Sequence, residues 1–191
     1  MRKACHLLLA LAPFMAPLAN AADTDFERLM LLLAQKTQRH VSFEEQDYLS
    51  VLDRPLRSSG ELLYERPDHL EKRTLAPKAA SLILEKGSLT VQSGRRTHIL
   101  PLSDYPQIAP LIESMRATLA GDEAALQRIF KVDFAGSLAN WTLSLVPLDA
   151  QLRNVVQTIR IEGDEAELHS VTIVQADDDR SVMTIGPAVP P

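Results

Sequence analysis

Apolar and polar residues alternate in several segments within residues 40–100 and 141–185. Such alternation is typical of half-buried strands. The connections between these segments are too short to contain a crossover helix. Turn signals such as Lys86-Gly87 and Ser93-Gly94 separate them. Because parallel neighbours need a longer crossover, the short connections predict antiparallel pairing. The predicted strands are residues 41–48, 60–66, 70–75, 81–85, 89–92, 96–100, 141–146, 155–162, 167–175 and 180–185, with a loop at 54–59 and an unstructured tail at 186–191.

Three helices are predicted outside these strands. Thr24 and Glu27 form a Thr-x-x-Glu capping box that opens a helix over residues 25–38. Pro110 suits the first turn of a second helix that ends at Gly121. Asp122 can cap a third, short helix. The apolar residues assigned to the first helix are Phe26, Leu29, Met30, Leu31, Leu32, Leu33 and Ala34, and those of the third are Leu126, Ile129 and Phe130.

These elements predict one α+β domain, residues 22–191, in which three helices cover the open side of a curled antiparallel sheet. A sheet of about ten strands twists and curls, and its concave face must be filled or covered. Several strands have one apolar side, as Leu62 and Tyr64 do in one strand and Leu143 and Leu145 in another. The pattern is compatible with a solid core or with a cavity. A cavity lined by branched aliphatic side chains would suit acyl chains.

The first 21 residues have the pattern of a cleaved secretory signal. Arg2 and Lys3 form a basic start, residues 4–15 are apolar, and Ala19-Asn20-Ala21 supplies the small residues of a cleavage site. Cleavage after Ala21 removes Cys5, so the mature chain has no thiol or disulfide chemistry. We therefore expect an exported protein, and a bacterial periplasm fits best.

The remaining composition disfavours several classes of function. The formal net charge of −5 argues against nucleic acid as the main partner, since phosphate binding needs a clustered basic surface. The sequence has no nucleophile-elbow, zincin, phosphate-loop or dinucleotide-binding motif, so we expect no enzyme and no cofactor. Asp177, Asp178 and Asp179 lack the spacing of a calcium loop and fit a hairpin turn, so no metal is expected.

A Gly-x-Leu-x-x-x-Arg-Pro-x-x-Leu pattern spans residues 60–70. Its fixed positions are Gly60, Leu62, Arg66-Pro67 and Leu70. This pattern resembles a hairpin of the LolA-type outer-membrane lipoprotein carriers. Three further segments are similar to that family in the same order: residues 40–46 to its first strand, 84–89 to a hairpin with a turn glycine, and 141–147 to a later strand. The resemblance covers about residues 23–185. The short C-terminal end and the low aromatic content, 5%, indicate a divergent member.

The resemblance implies an unclosed β-barrel with an apolar cavity for the acyl chains of lipoproteins or related lipids. It also implies that Arg66 bonds to the helical lid near Leu33 and holds the empty form closed. The residues expected to line the cavity or contact the lid are Leu29, Leu33, Phe43, Leu62, Tyr64, Arg66, Leu70, Leu82, Leu84, Leu89, Val91, Leu111, Met115, Leu143, Leu145 and Ile159.

The partners implied by this resemblance are an acylated lipoprotein or lipid cargo, an inner-membrane donor complex and an outer-membrane acceptor. The protein would act as a monomer. The alternative is an envelope binding or assembly module of the same fold that transports nothing. Its interior would be filled or shallow, so binding of an apolar probe distinguishes the two.

Overall fold

Eleven strands form one antiparallel sheet in the computed structural model, which describes residues 21–106 and 109–190. The strands are β1 (Gln38–Tyr48), β2 (Leu56–Glu65), β3 (His69–Ala76), β4 (Ala80–Glu85), β5 (Ser88–Ser93), β6 (Arg96–Pro101), β7 (Phe130–Ser137), β8 (Asn140–Pro147), β9 (Val156–Asp164), β10 (Glu167–Gln175) and β11 (Arg180–Ala188). The helices are α1 (Ala21–Gln35), α2 (Ala109–Ala120), α3 (Glu123–Ile129) and α4 (Ala150–Arg153), and a 3-10 turn spans Leu102–Asp104.

The order of the strands is β6-β5-β4-β3-β2-β1-β11-β10-β9-β8-β7. Thus β1 and β11 pair at the centre of the sheet, while β6 and β7 lie at its two edges. In the described part of the chain these two edges do not pair, so the barrel is not closed. The predicted antiparallel α+β fold with an unclosed barrel is confirmed.

The first helix is displaced from its predicted position. In the described residues α1 begins at Ala21, so the backbone of Thr24 already lies inside the helix. The helix ends at Gln35, and Gln38 already pairs with Glu65 in the β1–β2 ladder. Pairing with β2 therefore overrides the helical pattern at its C-terminal end. The predicted signal segment, apart from Ala21, lies outside the described residues.

The predicted secondary structure is also wrong at Phe130. Asp122 caps α3 as expected, because its carboxylate accepts a hydrogen bond of 2.9 Å from the Ala125 amide. Phe130, however, ends that helix and begins β7, a strand that the prediction missed. Phe130, Val132 and Phe134 alternate with polar residues, so the sequence contained a strand signal. The short α4, capped by Asp149, was missed as well.

Two segments predicted to be irregular belong to strands. Residues 56–59 of the predicted loop form the start of β2, where Ser58 pairs with Glu45. The predicted tail continues β11 to Ala188, which pairs with Val41. Neither segment has a strong apolar alternation. Their conformation depends on β1, whose backbone groups require partners on both sides.

A solid core fills the concave side near β7, β8 and β9. Here α1, α2 and α3 pack on the sheet, and Trp141 is fully buried. A buried leucine contributes about 1.5–3 kcal/mol, so this cluster anchors the helices firmly. The members that α1 supplies are Phe26, Leu29, Met30 and Leu33, those from α2, α3 and α4 are Ala117, Ala125, Leu126 and Leu152, and the sheet supplies Phe130, Trp141, Leu143, Leu145, Val156, Ile159 and Ile161.

Candidate functional site

Beside the solid core, the middle of the concave face contains a partly open cavity of about 500 Å³. Strands β1, β2, β3, β9, β10 and β11 form its wall, and α2 closes one side. Most of the lining side chains are aliphatic. They include Val41, Leu62, Leu63, Leu70, Met115, Leu119, Ile159, Ile161, Leu168, Val171, Ile173, Met183 and Ile185, together with the polar residues Arg39, Glu45, Tyr64, Ser114, Thr118, Glu167, His169 and Ser181.

Strand register places the aliphatic residues on one face. In β1 and β2, Val41 lies opposite Leu62. Across β9, β10 and β11, Val171 lies opposite both Ile161 and Met183. Since side chains alternate between the two faces of a strand, these pairs repeat along the same concave surface. The alternation read from the sequence therefore produces a continuous apolar wall.

The structure brings part of the expected set together at this cavity. Leu62, Tyr64, Leu70, Met115 and Ile159 line it. Two of them, Leu62 and Tyr64, are the apolar pair of β2, and Met115 comes from the covering helix. A lining role for these five residues is thus compatible with the geometry.

Other expected residues lie elsewhere. Phe43 is buried beside Gly60, where a Cβ would approach its ring to 3.0 Å. Leu84 is buried outside the cavity, while Leu82 is 39% exposed. Val91 lines a separate concavity together with Lys78, Ser93, Arg95, Arg96 and His98, and Leu89 is half-buried. The expected residues that belong to the solid core or pack against it are Leu29, Leu33, Leu111, Leu143 and Leu145.

Two charged lining residues of β1 were missed by the sequence prediction. Arg39 and Glu45 share strand parity with Val41 and Phe43, so they face the same concave side. That parity was a usable signal, but charged side chains are usually assigned to the solvent face. The lining residues of β10 and β11, such as Val171 and Met183, were also absent from the expected site.

Glu45 has charged and polar partners within the fold. Its carboxylate accepts from Lys72 Nζ, from the Ser58 hydroxyl at 3.2 Å and from the Ser181 hydroxyl at 3.0 Å. The Lys72 ammonium also lies 5.1 Å from the centre of the Phe43 ring. These contacts compensate the charge of a carboxylate whose side chain is only 11% exposed.

Arg39 has fewer partners. Its Nη1 donates to the Ala166 carbonyl at 2.6 Å and lies 3.9 Å from a Glu167 oxygen. Burial lowers the pKa of the Arg39 guanidinium, and the charge of Glu167 partly opposes this shift. Burial likewise raises the pKa of the Tyr64 hydroxyl above its ordinary value of 10.0, against the effect of the nearby arginines. A cation and a neutral phenol therefore face the apolar cavity.

Arg66 joins the sheet to the first helix. It is exposed in the turn between β2 and β3, and its amide donates to the Thr37 carbonyl at 2.9 Å. Its Nη1 donates to the backbone carbonyl of Ala34, the residue after Leu33. The guanidinium thus contacts the C-terminal end of α1 and does not line the cavity.

Metal-ligating side chains do not cluster in the part of the chain that the structure describes, where no group of three or more could hold an ion. Among the same residues, no helix has the length and apolarity needed to cross a membrane.

These features define a class of protein: an unclosed antiparallel barrel whose helices cover an apolar cavity. A family model described as "Outer membrane lipoprotein carrier protein LolA-like" matches residues 18–188. The chain belongs to this LolA-like family. No curated protein matches the sequence.

Solved structures with similar architecture are distant in sequence. A LolA superfamily protein of Nitrosomonas europaea, NE2245, is 11% identical with a TM-score of 0.48, covering 87% of this chain and 92% of that chain. A chain of the Pseudomonas aeruginosa MucA/MucB complex is 11% identical with a TM-score of 0.46, and the match covers 90% of this chain but 59% of that chain. LprF from Mycobacterium bovis is 12% identical with a TM-score of 0.34, covering 88% of this chain and 94% of that chain.

Proposed function

We propose that this protein is a periplasmic carrier that binds acyl chains of lipoproteins or related lipids and delivers them toward the outer membrane. The observation that carries the proposal is the cavity of about 500 Å³ with its largely aliphatic wall. Ligand cavities of this size and character suit apolar molecules. Membership of the LolA-like family supports the same role.

The cost of exposing a lipid to water explains why a container is needed. Each methylene group contributes about 0.8 kcal/mol, so a chain of about 16 carbons costs roughly 13 kcal/mol in water. Side chains such as Leu62, Ile161 and Met183 would replace that water with apolar contacts. The cavity therefore removes the cost of carrying the chain through water.

Release requires that the empty protein be stabilised in a closed form, and we assign this task to Arg66. Its hydrogen bond to the Ala34 carbonyl connects the β2–β3 turn with α1. A hydrogen bond involving a charged group contributes about 1.5–3 kcal/mol. Such a contact adds a small bias toward the closed form to the packing that already holds α1 on the sheet.

The cellular setting follows from the predicted export signal. We propose that cleavage after Ala21 releases residues 22–191 into the periplasm as one lipid-binding domain. A donor complex at the inner membrane and an acceptor at the outer membrane would then complete the route.

A direct test measures binding of a fluorescent fatty acid to purified residues 22–191. We expect saturable binding that unlabelled fatty acid reverses. Val171→Trp places a large ring in the cavity wall and should weaken binding at least tenfold. The matched control Thr172→Trp alters the opposite face of the same strand and should bind like wild type. Absence of saturable binding by the folded wild-type protein would exclude a carrier and favour the envelope assembly module.

A further inference from the structure

One edge of the Arg39 guanidinium is buried at the cavity wall and has no hydrogen-bond partner among the described residues. The Arg39 side chain is only 10% exposed, and its Nη1 donates a hydrogen bond to the Ala166 carbonyl. Its Nε and Nη2 are buried and have no hydrogen-bond partner among the described residues. These two nitrogens form the side of the guanidinium that binds a carboxylate or phosphate through two parallel hydrogen bonds.

Tyr64 supplies a further donor from the neighbouring strand. It lies directly opposite Arg39 in the β1–β2 ladder, and both residues line the cavity. The Tyr64 hydroxyl is also buried without a partner among residues 21–106 and 109–190. Leaving buried polar groups unpaired is costly, so these unpaired donors on the cavity wall indicate a polar group that binds there.

The charge of Arg39 remains available on the cavity side. Its closest carboxylate, Glu167, is 57% exposed and lies at 2.9 Å from Lys36. The other charged lining residue of β1, Glu45, is six residues further along, about 20 Å away in an extended strand. Glu45 is already bonded to Lys72, Ser58 and Ser181. An anion would therefore bind at the Arg39 end.

The wall beside that anion suits the apolar part of a lipid. Because the cavity of about 500 Å³ is lined mainly by aliphatic side chains, an acyl chain can extend along it from the Arg39 end.

We infer that the cavity binds a lipid with an oxyanion headgroup, which pairs with Arg39 Nε and Nη2 and with the Tyr64 hydroxyl. The inference rests on the proposed acyl-binding function and narrows its cargo. A fatty-acid carboxylate and a lysophospholipid phosphate share the required chemistry. In both, the oxyanion occupies the polar end and the chain extends along the aliphatic wall.

Displacement of the neutral probe N-phenylnaphthylamine from the purified protein tests the inference. The competitors are myristate, myristoyl lysophosphatidate and the uncharged tetradecanol. We expect either oxyanion lipid to bind at least tenfold more tightly than tetradecanol. Which of the two oxyanion lipids binds more tightly identifies the source of the headgroup. Acetate and inorganic phosphate should not displace the probe.

Variants assign the effect to the headgroup contacts. Arg39→Gln should weaken binding of the oxyanion lipids by about ten- to a hundredfold and leave tetradecanol unchanged. Arg39→Lys should fall between wild type and Arg39→Gln, because lysine keeps the charge without the planar fork. Tyr64→Phe should weaken binding severalfold. Arg57→Gln removes an exposed arginine from the outer face of β2 and serves as the control.

The outcomes separate the two proposals. If tetradecanol binds as tightly as myristate, and folded Arg39→Lys or Tyr64→Phe protein binds both like wild type, the headgroup assignment is wrong while acyl binding stands. If neither the probe nor any lipid binds, the proposed function itself fails.

Discussion

The Arg66 guanidinium donates a hydrogen bond to the backbone carbonyl of Ala34 and so connects the β2–β3 turn to the end of α1. Because the acceptor is a backbone atom, no change of the Ala34 side chain would remove it. The contact depends instead on the position of the helix relative to the sheet. Movement of α1 away from the sheet must therefore break this bond.

Replacing Arg66 should impair release of cargo more than its uptake. Arg66→Leu removes the bond to Ala34 and the bias toward the closed, empty form. We expect loaded protein to transfer a fluorescent acyl chain to acceptor vesicles several times more slowly than wild type. The control Arg57→Leu should transfer normally. Transfer by Arg66→Leu at the wild-type rate would show that the contact is no latch.

Gly121 should be irreplaceable at the junction of α2 and α3. Its φ of +66° favours glycine, and a Cβ there would overlap the carbonyl oxygen of Met30 in α1. Gly121→Ala should lower the free energy of unfolding by about 3 kcal/mol, from backbone strain plus overpacking. Urea denaturation provides the measurement.

Gly94 supplies the matched control for that experiment. It has a similar φ of +60°, but a Cβ at this position meets no described atom within 4 Å. Gly94→Ala should therefore cost only the backbone strain, about 1–2 kcal/mol. If Gly121→Ala and Gly94→Ala lowered the free energy of unfolding equally, close packing of the α2–α3 junction against α1 would contribute nothing to the cost of Gly121→Ala.

The Glu45–Lys72 pair should show strong coupling. Glu45→Leu leaves the Lys72 ammonium, whose side chain is 26% exposed, without its carboxylate partner. We expect a loss of about 3 kcal/mol in the free energy of unfolding. The double variant with Lys72→Met should recover most of that loss, because both charges are then gone. Additive losses in the double-mutant cycle would contradict this coupling.

Ionisation of Tyr64 should occur above the ordinary tyrosine pKa of 10.0, because burial disfavours the phenolate. Because the pKa of Tyr64 is higher in the folded than in the unfolded protein, the neutral hydroxyl stabilises the folded state below pH 10. This stabilisation is lost as the pH rises through the pKa of Tyr64 in the folded protein. An ultraviolet titration should therefore contain a late phenolate phase that Tyr64→Phe removes. Persistence of that phase in the folded variant would assign it to another tyrosine.

Local patterns in the sequence predicted most of the strands but not where they would be extended by distant partners. Alternation alone places Val171 and Met183 on definite faces of their strands. By contrast, Ala188 has no side-chain signal for a strand and acquires its conformation by pairing with Val41. Long-range pairing of this kind leaves no trace in a local window of sequence.

The candidate site was harder to predict than the fold. Leu143 of β8 and Ile161 of β9 pair directly with each other, and both belong to the solid core. Only Ile161 also borders the cavity. The difference depends on where the helices cover the sheet, which periodicity does not specify. Arg39 shows a second limit, since a charged residue at an inward position contradicts the usual assignment of charge to solvent.

Pairing of β1 with β11 also divides the sheet into two series of hairpins, β1–β6 and β7–β11, that share a single seam. Val41 borders the cavity on one side of this seam and Met183 on the other. A guest in the cavity would therefore touch both series at once. Binding of a guest would therefore stabilise the β1–β11 ladder, through which the two halves of the barrel are joined.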